Sequence, residues 1–192
     1  ECDLEAHHGL AREIAAQSAV LLKNEGGILP LKRGQKIAVL GQFAVQPRYQ
    51  GAGSSLINPT KLETVVEELN REGIQFEYAP GYSLDSGEVD EELLAEACAQ
   101  AEASEVVLIF AGLPAQYESE GYDRENLDLP PNHNALIERV PQVNPNVIVI
   151  LSAGSPTTLP WLEQVRAVLH TYLGGQGGAG AAVDILFGKV NP

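Results

Sequence analysis

The sequence predicts an α/β fold: a mostly parallel β-sheet of five to six strands, flanked by helices on both faces in a three-layer α/β/α sandwich. Short apolar runs alternate along the chain with longer segments whose apolar residues recur at helical spacing. The runs VVLIFAG and VIVIL contain no polar residue, which is typical of strands buried on both faces of a parallel sheet. Because strands that alternate with helices pair in parallel, helices are expected on both faces of the sheet.

The first half of the chain is predicted to form two helices and two strands. Apolar spacing indicates a helix over residues 10–24, which GGILP ends. IAVL at 37–40 is predicted as a buried strand, and a long loop follows it. TKLE has the spacing of a capping box and opens a helix over residues 60–72. IQFEY at 74–78 alternates as a strand does.

The second half is predicted to continue the alternation in one domain without internal repeats. Its helices are VDEELLAEACAQAEA, NHNALIERV with two prolines in the first turn, and AAVDILF at the end. Its strands are residues 105–111, 147–151 and 167–173.

Charge excludes two classes of partner. The chain has 192 residues with 12 basic and 26 acidic side chains, for a formal net charge of -14. Such a surface repels nucleic acid phosphates and anionic membrane surfaces, so neither is expected as a partner. The apolar runs are also far too short to span a bilayer.

Cysteines and histidines offer no cofactor site. Cys2 and Cys98 are the two cysteines, and the second falls within a predicted helix, where it is expected to pack as a small hydrophobe. Such sparse cysteine favours a reducing compartment such as the cytoplasm. The histidines lack metal-ligand spacing and are expected to be structural: His7, His8, His133 and His170. No metal or organic cofactor is predicted.

Three loops are expected at the carboxyl edge of the sheet, where α/β proteins bind ligands. They are QPRYQGAGSSLINP, LPAQYESEGYDRENLDLP and GGQGGAG. The first loop holds Gly51, Gly53, Ser54 and Ser55, which could suggest a phosphate cradle, but the P-loop lysine is missing. Its glycines could instead allow a tight turn or a close approach to a ligand, and those of GGQGGAG could serve helix packing.

The second loop concentrates carboxylates directly after an apolar strand. Glu118 and Glu120 stand two residues apart, followed by Asp123 and Arg124. A carboxyl group beside other carboxylates in a partly dry cleft can hold its proton near neutral pH and donate it. The alternative is that Asp123 and Arg124 pair to pin the loop, while the glutamates are only solvated.

Several stretches together resemble one family. VLLKNEGGILPL, IAVLG, GAGSS, EGYDRENLDLP and LFGKVNP occur in this order. They are similar to the C-terminal α/β sandwich domain of glycoside hydrolase family 3, over residues 8–192. The first and fourth of these stretches are specific, whereas GAGSS alone would be weak.

The resemblance implies a retaining, exo-acting β-glucosidase type of enzyme whose active site is shared between two domains. An N-terminal (β/α)8-type barrel would carry the catalytic nucleophile. The sandwich domain would supply the general acid/base, at Glu118 by position, with Glu120 as the runner-up. Asp123 and Arg124 match a pair expected to pin the loop, and GAGSS is expected on the substrate side. The implied substrate is a β-glucoside or a short β-linked oligosaccharide.

The resemblance also implies that the chain is part of a longer enzyme. Residues 1–19 are expected to be a linker segment and first helix leading from a barrel, and residues 20–192 the sandwich domain. Because the nucleophile would lie on the barrel, this chain is expected to be inactive by itself. Two alternatives stay open: a non-catalytic carbohydrate-binding or scaffold module of the same fold, and a nucleotide- or phosphate-binding domain.

Overall fold

The computed structural model describes residues 2–192, which form one six-stranded mixed sheet and five α-helices. The strands are β1 (Val20–Asn24), β2 (Ile37–Leu40), β3 (Phe76–Ala79), β4 (Val106–Gly112), β5 (Val147–Ser152) and β6 (Ala167–His170). The helices are α1 (Leu4–Ser18), α2 (Val65–Arg71), α3 (Glu91–Glu102), α4 (Pro131–Arg139) and α5 (Gly178–Leu186). The strand order is β1-β6-β5-β4-β2-β3, and all pairs are parallel except β1 with β6. The predicted fold class is therefore confirmed.

Two hydrophobic cores lie on opposite faces of the sheet. Alternate strand residues such as Val39 and Leu108 pack with α1, α2 and α5 on one face. Their neighbours, such as Leu40 and Ile109, pack with α3 and α4 on the other. Because successive side chains of a strand point to opposite faces, an all-apolar strand supplies both cores at once. The result is the three-layer sandwich that the apolar runs predict.

The predicted helix over residues 10–24 is wrong in its second half. The helix α1 begins after Asp3, whose side chain accepts a hydrogen bond from the Ala6 amide, and it ends at Ser18. Residues 20–24 form β1, which pairs antiparallel with β6 at the edge of the sheet. Its side chains alternate between exposed and half-buried, as on an edge strand. A segment as short as VLLKN fits both the helical and the strand spacing of apolar residues, and its pairing with β6 makes it a strand.

The predicted capping box is also misplaced. The box forms four residues later, where the Thr64 hydroxyl accepts a hydrogen bond from the Glu67 amide at 3.2 Å and the Glu67 carboxylate accepts one from the Thr64 amide at 3.2 Å. Glu63 is buried instead. Its carboxylate lies 2.7 Å from His8 Nε2 and accepts a hydrogen bond from the Gly180 amide at 3.0 Å. This carboxylate therefore joins α1 to α5 and cannot cap α2.

Three smaller boundary errors occur near the ends of elements. The strand predicted over 74–78 is β3, and the final helix begins at Gly178, within GGQGGAG. The strand predicted over 167–173 ends at His170. There the Tyr172 amide donates to His170 Nδ1 at 3.1 Å, and Tyr172 adopts a positive φ of 52°. This turn takes the chain away from the sheet.

The helix α1 is anchored to the rest of the fold by one arginine. Arg12 donates to the Asp184 carboxylate of α5 at 2.7 and 2.8 Å and to the Glu68 carboxylate of α2 at 2.7 Å. Asp184 and Lys189 make a further ion pair at 3.3 Å. These cations hold the pKa of Asp184 below its ordinary value, against the effect of burial.

The division of the chain into a linker with first helix (1–19) and a sandwich domain (20–192) stays a prediction.

His133 and Cys98 take part in packing, whereas His7 and Cys2 are exposed. His133 is buried, with its ring 3.8 Å from that of Tyr82 and 5.5 Å from that of Phe43 between centroids. Burial lowers the pKa of His133 to about 3, so the ring is neutral and Nδ1 accepts a hydrogen bond from the Gly112 amide. Cys98 packs, half-buried, against the core on the α3 side.

Within residues 2–192, no cluster of three or more histidine, cysteine or acidic side chains could hold a metal ion. None of the helices described is both long and apolar enough to cross a bilayer.

Candidate active site

Four loops meet at the carboxyl edge of the sheet because β2, β4, β5 and β6 run parallel to one another. We call residues 41–58 after β2 the glycine loop and residues 113–129 after β4 the acidic loop. The two loops form a parallel bridge between Ala52 and Ser119. The GGQGGAG segment after β6 touches the glycine loop, since the Gly175 amide donates to the Tyr49 carbonyl at 2.9 Å. The structure thus brings together all three loops that the sequence singles out.

Glu118 is held by groups of its own domain. One carboxylate oxygen accepts a hydrogen bond from the Ser155 hydroxyl at 2.6 Å, and the other accepts one from the Gly154 amide at 3.0 Å. Both donors lie in the loop after β5. The Glu118 side chain is 17% exposed, and Arg48 Nη2 lies 3.8 Å from its carboxylate. The carboxylate therefore ties the acidic loop to the neighbouring loop.

Glu120 lies at the surface and faces the glycine loop. Its Oε2 atom accepts hydrogen bonds from the Ser54 hydroxyl and from the Ser54 amide, the latter at 2.7 Å. These bonds favour the charged form and lower the pKa of Glu120. Oε1 makes no hydrogen bond to any of residues 2–192. The carboxyl group is thus fixed at one oxygen and open to an approaching group at the other.

The glycine loop is shaped to accept Glu120. Gly53 has a φ of +91°, and a Cβ atom added there would lie 2.6 Å from the Cβ of Glu120. A side chain at this position would therefore disfavour the backbone conformation and collide with the glutamate. Gly51 is half-buried and lies near the Ser55 hydroxyl, whereas Ser55 itself is exposed. These contacts explain the sequence GAGSS without a phosphate.

Among the residues that the structure describes, Asp123 and Arg124 form neither an ion pair nor a hydrogen bond with each other. Arg124 donates to the Pro156 carbonyl at 2.6 Å and to the Ser155 hydroxyl at 3.3 Å, so it ties the acidic loop to the loop after β5. Asp123 is exposed and makes no hydrogen bond to the described residues. The contacts of Arg124 suit a loop-pinning role, and the same role for Asp123 stays a prediction.

Arg48 is a further residue of the site, and no motif in the sequence points to it. It lies in the glycine loop with a side chain that is 8% exposed. Its Nε donates to the Leu113 carbonyl at 3.0 Å and its Nη2 to the Glu118 carbonyl at 2.7 Å. A lone arginine among loop residues reads as solvated, so only the fold reveals that it crosses between two loops.

A cleft of about 530 Å³ opens beside Glu118, and Glu120 does not line it. It is lined by polar and aromatic side chains of the acidic loop, among them Tyr117, Glu118, Tyr122 and Arg124. Tyr122 is 67% exposed. Carboxylates at a cleft with exposed aromatic rings suit a polar ligand with apolar ring faces, such as a sugar.

Comparison with known proteins identifies the family. Residues 19–192 match the sequence model described as the glycosyl hydrolase family 3 C-terminal domain. The chain belongs to this family. Thermostable β-glucosidase B of Acetivibrio thermocellus is 50% identical over 99% of the chain, and the exo-α-(1→6)-L-arabinopyranosidase of Bifidobacterium longum is 45% identical over the same share.

Solved structures of β-glucosidases share the fold. A β-glucosidase of Bifidobacterium adolescentis superposes with a TM-score of 0.95 at 44% identity, over 99% of this chain and 28% of that one. A β-glucosidase of Listeria innocua in complex with isofagomine superposes with a TM-score of 0.85 at 27% identity, over 96% of this chain and 25% of that one. The chain also spans only 26% of the length of the two relatives named above. It therefore corresponds to one domain of these glycosyl hydrolase family 3 proteins.

Proposed function

We propose that this chain is the domain of a retaining, exo-acting β-glucosidase that supplies the general acid/base from its acidic loop. The substrate class would be the terminal β-D-glucosyl residue of a β-glucoside or a short β-linked oligosaccharide. The observation that carries the proposal is the pair of glutamates held by loop contacts at the carboxyl edge of the sheet, Glu118 also lining an open cleft, in a chain of glycosyl hydrolase family 3. The names of the relatives support the substrate class.

The contacts favour Glu120 over Glu118 as the residue that transfers the proton. A general acid must present a carboxyl oxygen to a sugar that lies outside this domain. Both oxygens of Glu118 already accept hydrogen bonds from the loop after β5, whereas Glu120 has one oxygen without a partner among residues 2–192. The resemblance implies Glu118 by position, with Glu120 as the runner-up, and the contacts reverse that order. We assign Glu118 to holding the acidic loop in place.

The proton donor must also be neutral when the substrate binds. In this domain Ser54 lowers the pKa of Glu120, which opposes proton donation. A second domain packed over the loop would remove water from the carboxyl group and bring the nucleophilic carboxylate close. Both effects disfavour the charged form and raise the pKa of a carboxyl group.

The proposed reaction has two steps. The nucleophilic carboxylate of the other domain attacks the anomeric carbon, while Glu120 gives its proton to the glycosidic oxygen as the bond to the leaving group breaks. The Glu120 carboxylate then takes a proton from water, whose oxygen attacks the anomeric carbon and releases the sugar and the nucleophile. In retaining enzymes the two carboxyl groups lie about 5–5.5 Å apart. Docking of the two domains would set this distance.

An alternative function is a non-catalytic module that keeps the fold, because the contacts of both glutamates also serve to hold loops together. The two functions differ in the complete enzyme, meaning this domain joined to its barrel. Removal of the general acid/base lowers turnover about 10²- to 10⁴-fold. Removal of a loop contact in a non-catalytic module leaves turnover nearly unchanged.

Azide rescue identifies the residue. In the complete enzyme, Glu120→Ala is expected to hydrolyse 2,4-dinitrophenyl β-D-glucoside slowly, because this leaving group departs without a proton but water lacks its base. Azide needs no base, so it should restore turnover and yield the β-glucosyl azide. Glu118→Ala is the matched control and should show no rescue. Rescue at position 118 alone would restore the order that the resemblance implies, and rescue at neither position would contradict the proposed function.

The relatives leave a choice of sugar, since one is named a β-glucosidase and another an arabinopyranosidase. The rescue assay should therefore include 4-nitrophenyl α-L-arabinopyranoside as a second substrate. The resemblance places the contacts that select the sugar mainly on the barrel. If the complete enzyme uses both substrates, we expect Glu120→Ala to slow turnover of both, because the attacking water loses its general base whichever sugar is bound.

A further inference from the structure

Arg48 joins the glycine loop to the acidic loop through hydrogen bonds to three main-chain carbonyl groups. Nε donates to Leu113 at 3.0 Å, Nη2 to Glu118 at 2.7 Å, and Nη1 to Gln50. The side chain is 8% exposed, so water replaces few of these bonds. One side chain therefore fixes the start of the acidic loop, its middle, and the adjoining part of the glycine loop.

The guanidinium group suits this task better than any other side chain. It is planar, presents five donors in a fixed fork and stays protonated. Burial lowers the pKa of Arg48, and the nearby Glu118 carboxylate opposes this effect. A lysine at the same place would carry one charge at a single point and could not span the three carbonyl groups at once.

The hydrogen bonds continue from Arg48 to the proposed general acid/base. Gln50, whose carbonyl accepts from Arg48, closes the glycine loop by two side-chain bonds to Ile57, at 2.8 Å to its carbonyl and 3.0 Å from its amide. The closed segment carries Ser54, which donates to Glu120. Arg48 thus holds Glu120 from both sides, through Glu118 on the acidic loop and through Gln50 on the glycine loop.

We propose that Arg48 is a positioning residue that sets the place of the general acid/base at the carboxyl edge of the sheet. This inference rests on the proposed function. It holds for either glutamate. Arg48 binds the carbonyl groups of Leu113, directly after β4, and of Glu118, so it fixes the segment of main chain that leads to both glutamates. Misplacement of a reacting group by about 1 Å can cost about 100-fold in rate.

The test compares two β-glucosides, each with the complete enzyme, whose leaving groups differ in their need for a proton. An alkyl β-glucoside needs its leaving oxygen protonated, whereas 2,4-dinitrophenyl β-glucoside does not. We expect Arg48→Met to lower kcat for the alkyl glucoside by about 100-fold. The first step with the dinitrophenyl glucoside, followed as the burst of dinitrophenolate, should stay close to that of the parent enzyme.

A purely structural role predicts a different pattern. Loss of folded enzyme would lower the activity measured with both substrates by the same factor. Loss of substrate binding would raise KM without changing kcat. Arg33→Met is the matched control, because Arg33 is 61% exposed and contacts Glu72 away from the loops. Arg33→Met should leave the activity with both substrates unchanged.

Arg48→Lys distinguishes the contribution of the forked guanidinium donors from that of the positive charge. The lysine keeps a positive charge near Glu118, so it should preserve folding if Arg48→Met does not fold. We expect it to show the same selective loss with the alkyl glucoside. Full activity of Arg48→Lys would overturn the proposal that the fork positions the acid.

Failure of this inference differs from failure of the proposed function. If Glu120→Ala and Glu118→Ala both keep full activity, the proposed function fails. If one of them is inactive while Arg48→Met keeps full activity on the alkyl glucoside, only the positioning role of Arg48 is overturned.

Discussion

The hydrogen bonds from Ser54 to Glu120 connect a single hydroxyl group to the pH dependence of the proposed reaction. These bonds stabilise the carboxylate and hold the pKa of Glu120 below its ordinary value. Ser54→Ala removes the hydroxyl and leaves the amide, so it should raise that pKa. A general acid works in its protonated form, and activity falls as pH rises through its pKa. The alkaline limb of kcat against pH in the complete enzyme should therefore move to higher pH.

The neighbouring serine provides the control. Ser55 is exposed and makes no hydrogen bond to Glu120, so Ser55→Ala should leave both limbs of the pH profile in place. An unchanged alkaline limb in Ser54→Ala would mean that a group other than Glu120 gives the proton. An alkaline limb that moved to lower pH would contradict the electrostatic argument itself.

At the level of single residues, the sequence names the acidic loop and both glutamates but cannot rank them by their contacts. Their order depends on the partners of each carboxylate: Ser155 and the Gly154 amide bind both oxygens of Glu118, whereas Ser54 binds one oxygen of Glu120. Those serines stand 37 and 66 residues away in the chain. Spacing within one loop carries no information on partners at that distance. Arg48 is missed for the same reason.

The start of α2 tests the corrected element boundary. Thr64 and Glu67 form the capping box, so Thr64→Ala removes a bond that satisfies the first turn of the helix. We expect the free energy of unfolding of the chain to fall by about 1 kcal/mol. Urea unfolding followed by circular dichroism measures this change.

Thr60→Ala is the matched control, because TKLE is the position that the sequence predicts for the cap. Thr60 is exposed and lies outside the helix. Its replacement should leave the unfolding free energy within about 0.5 kcal/mol of the parent. A larger loss from Thr60→Ala than from Thr64→Ala would show that the helix begins where the sequence predicts.

At the level of elements, the central strands are predictable and the edge strand is not. β4 and β5 are buried along almost their whole length, so composition alone marks them. β1 has one half-covered face, follows α1 almost directly and depends on β6 for its hydrogen bonds. The misplaced capping box has a similar cause, since the Glu63 carboxylate is used by His8 and the Gly180 amide, far away in the chain.

At the level of the whole molecule, the sandwich follows from burial on both faces of the sheet, which the sequence displays directly. The shared active site cannot be predicted from these residues in the same way, because its other half would lie on another domain. The chain spans about a quarter of the length of the relatives it matches. The resemblance, and not periodicity, therefore carries the expectation of a barrel and its nucleophile.

The central claim is that this domain holds an acid/base with no nucleophile of its own. The most direct test is hydrolysis of 4-nitrophenyl β-D-glucoside by the chain alone, after circular dichroism shows that it is folded. We predict no turnover, and turnover when the domain is joined to its barrel. Clear turnover by the chain alone, abolished by Glu120→Ala or Glu118→Ala, would place a nucleophile within these residues and contradict the account.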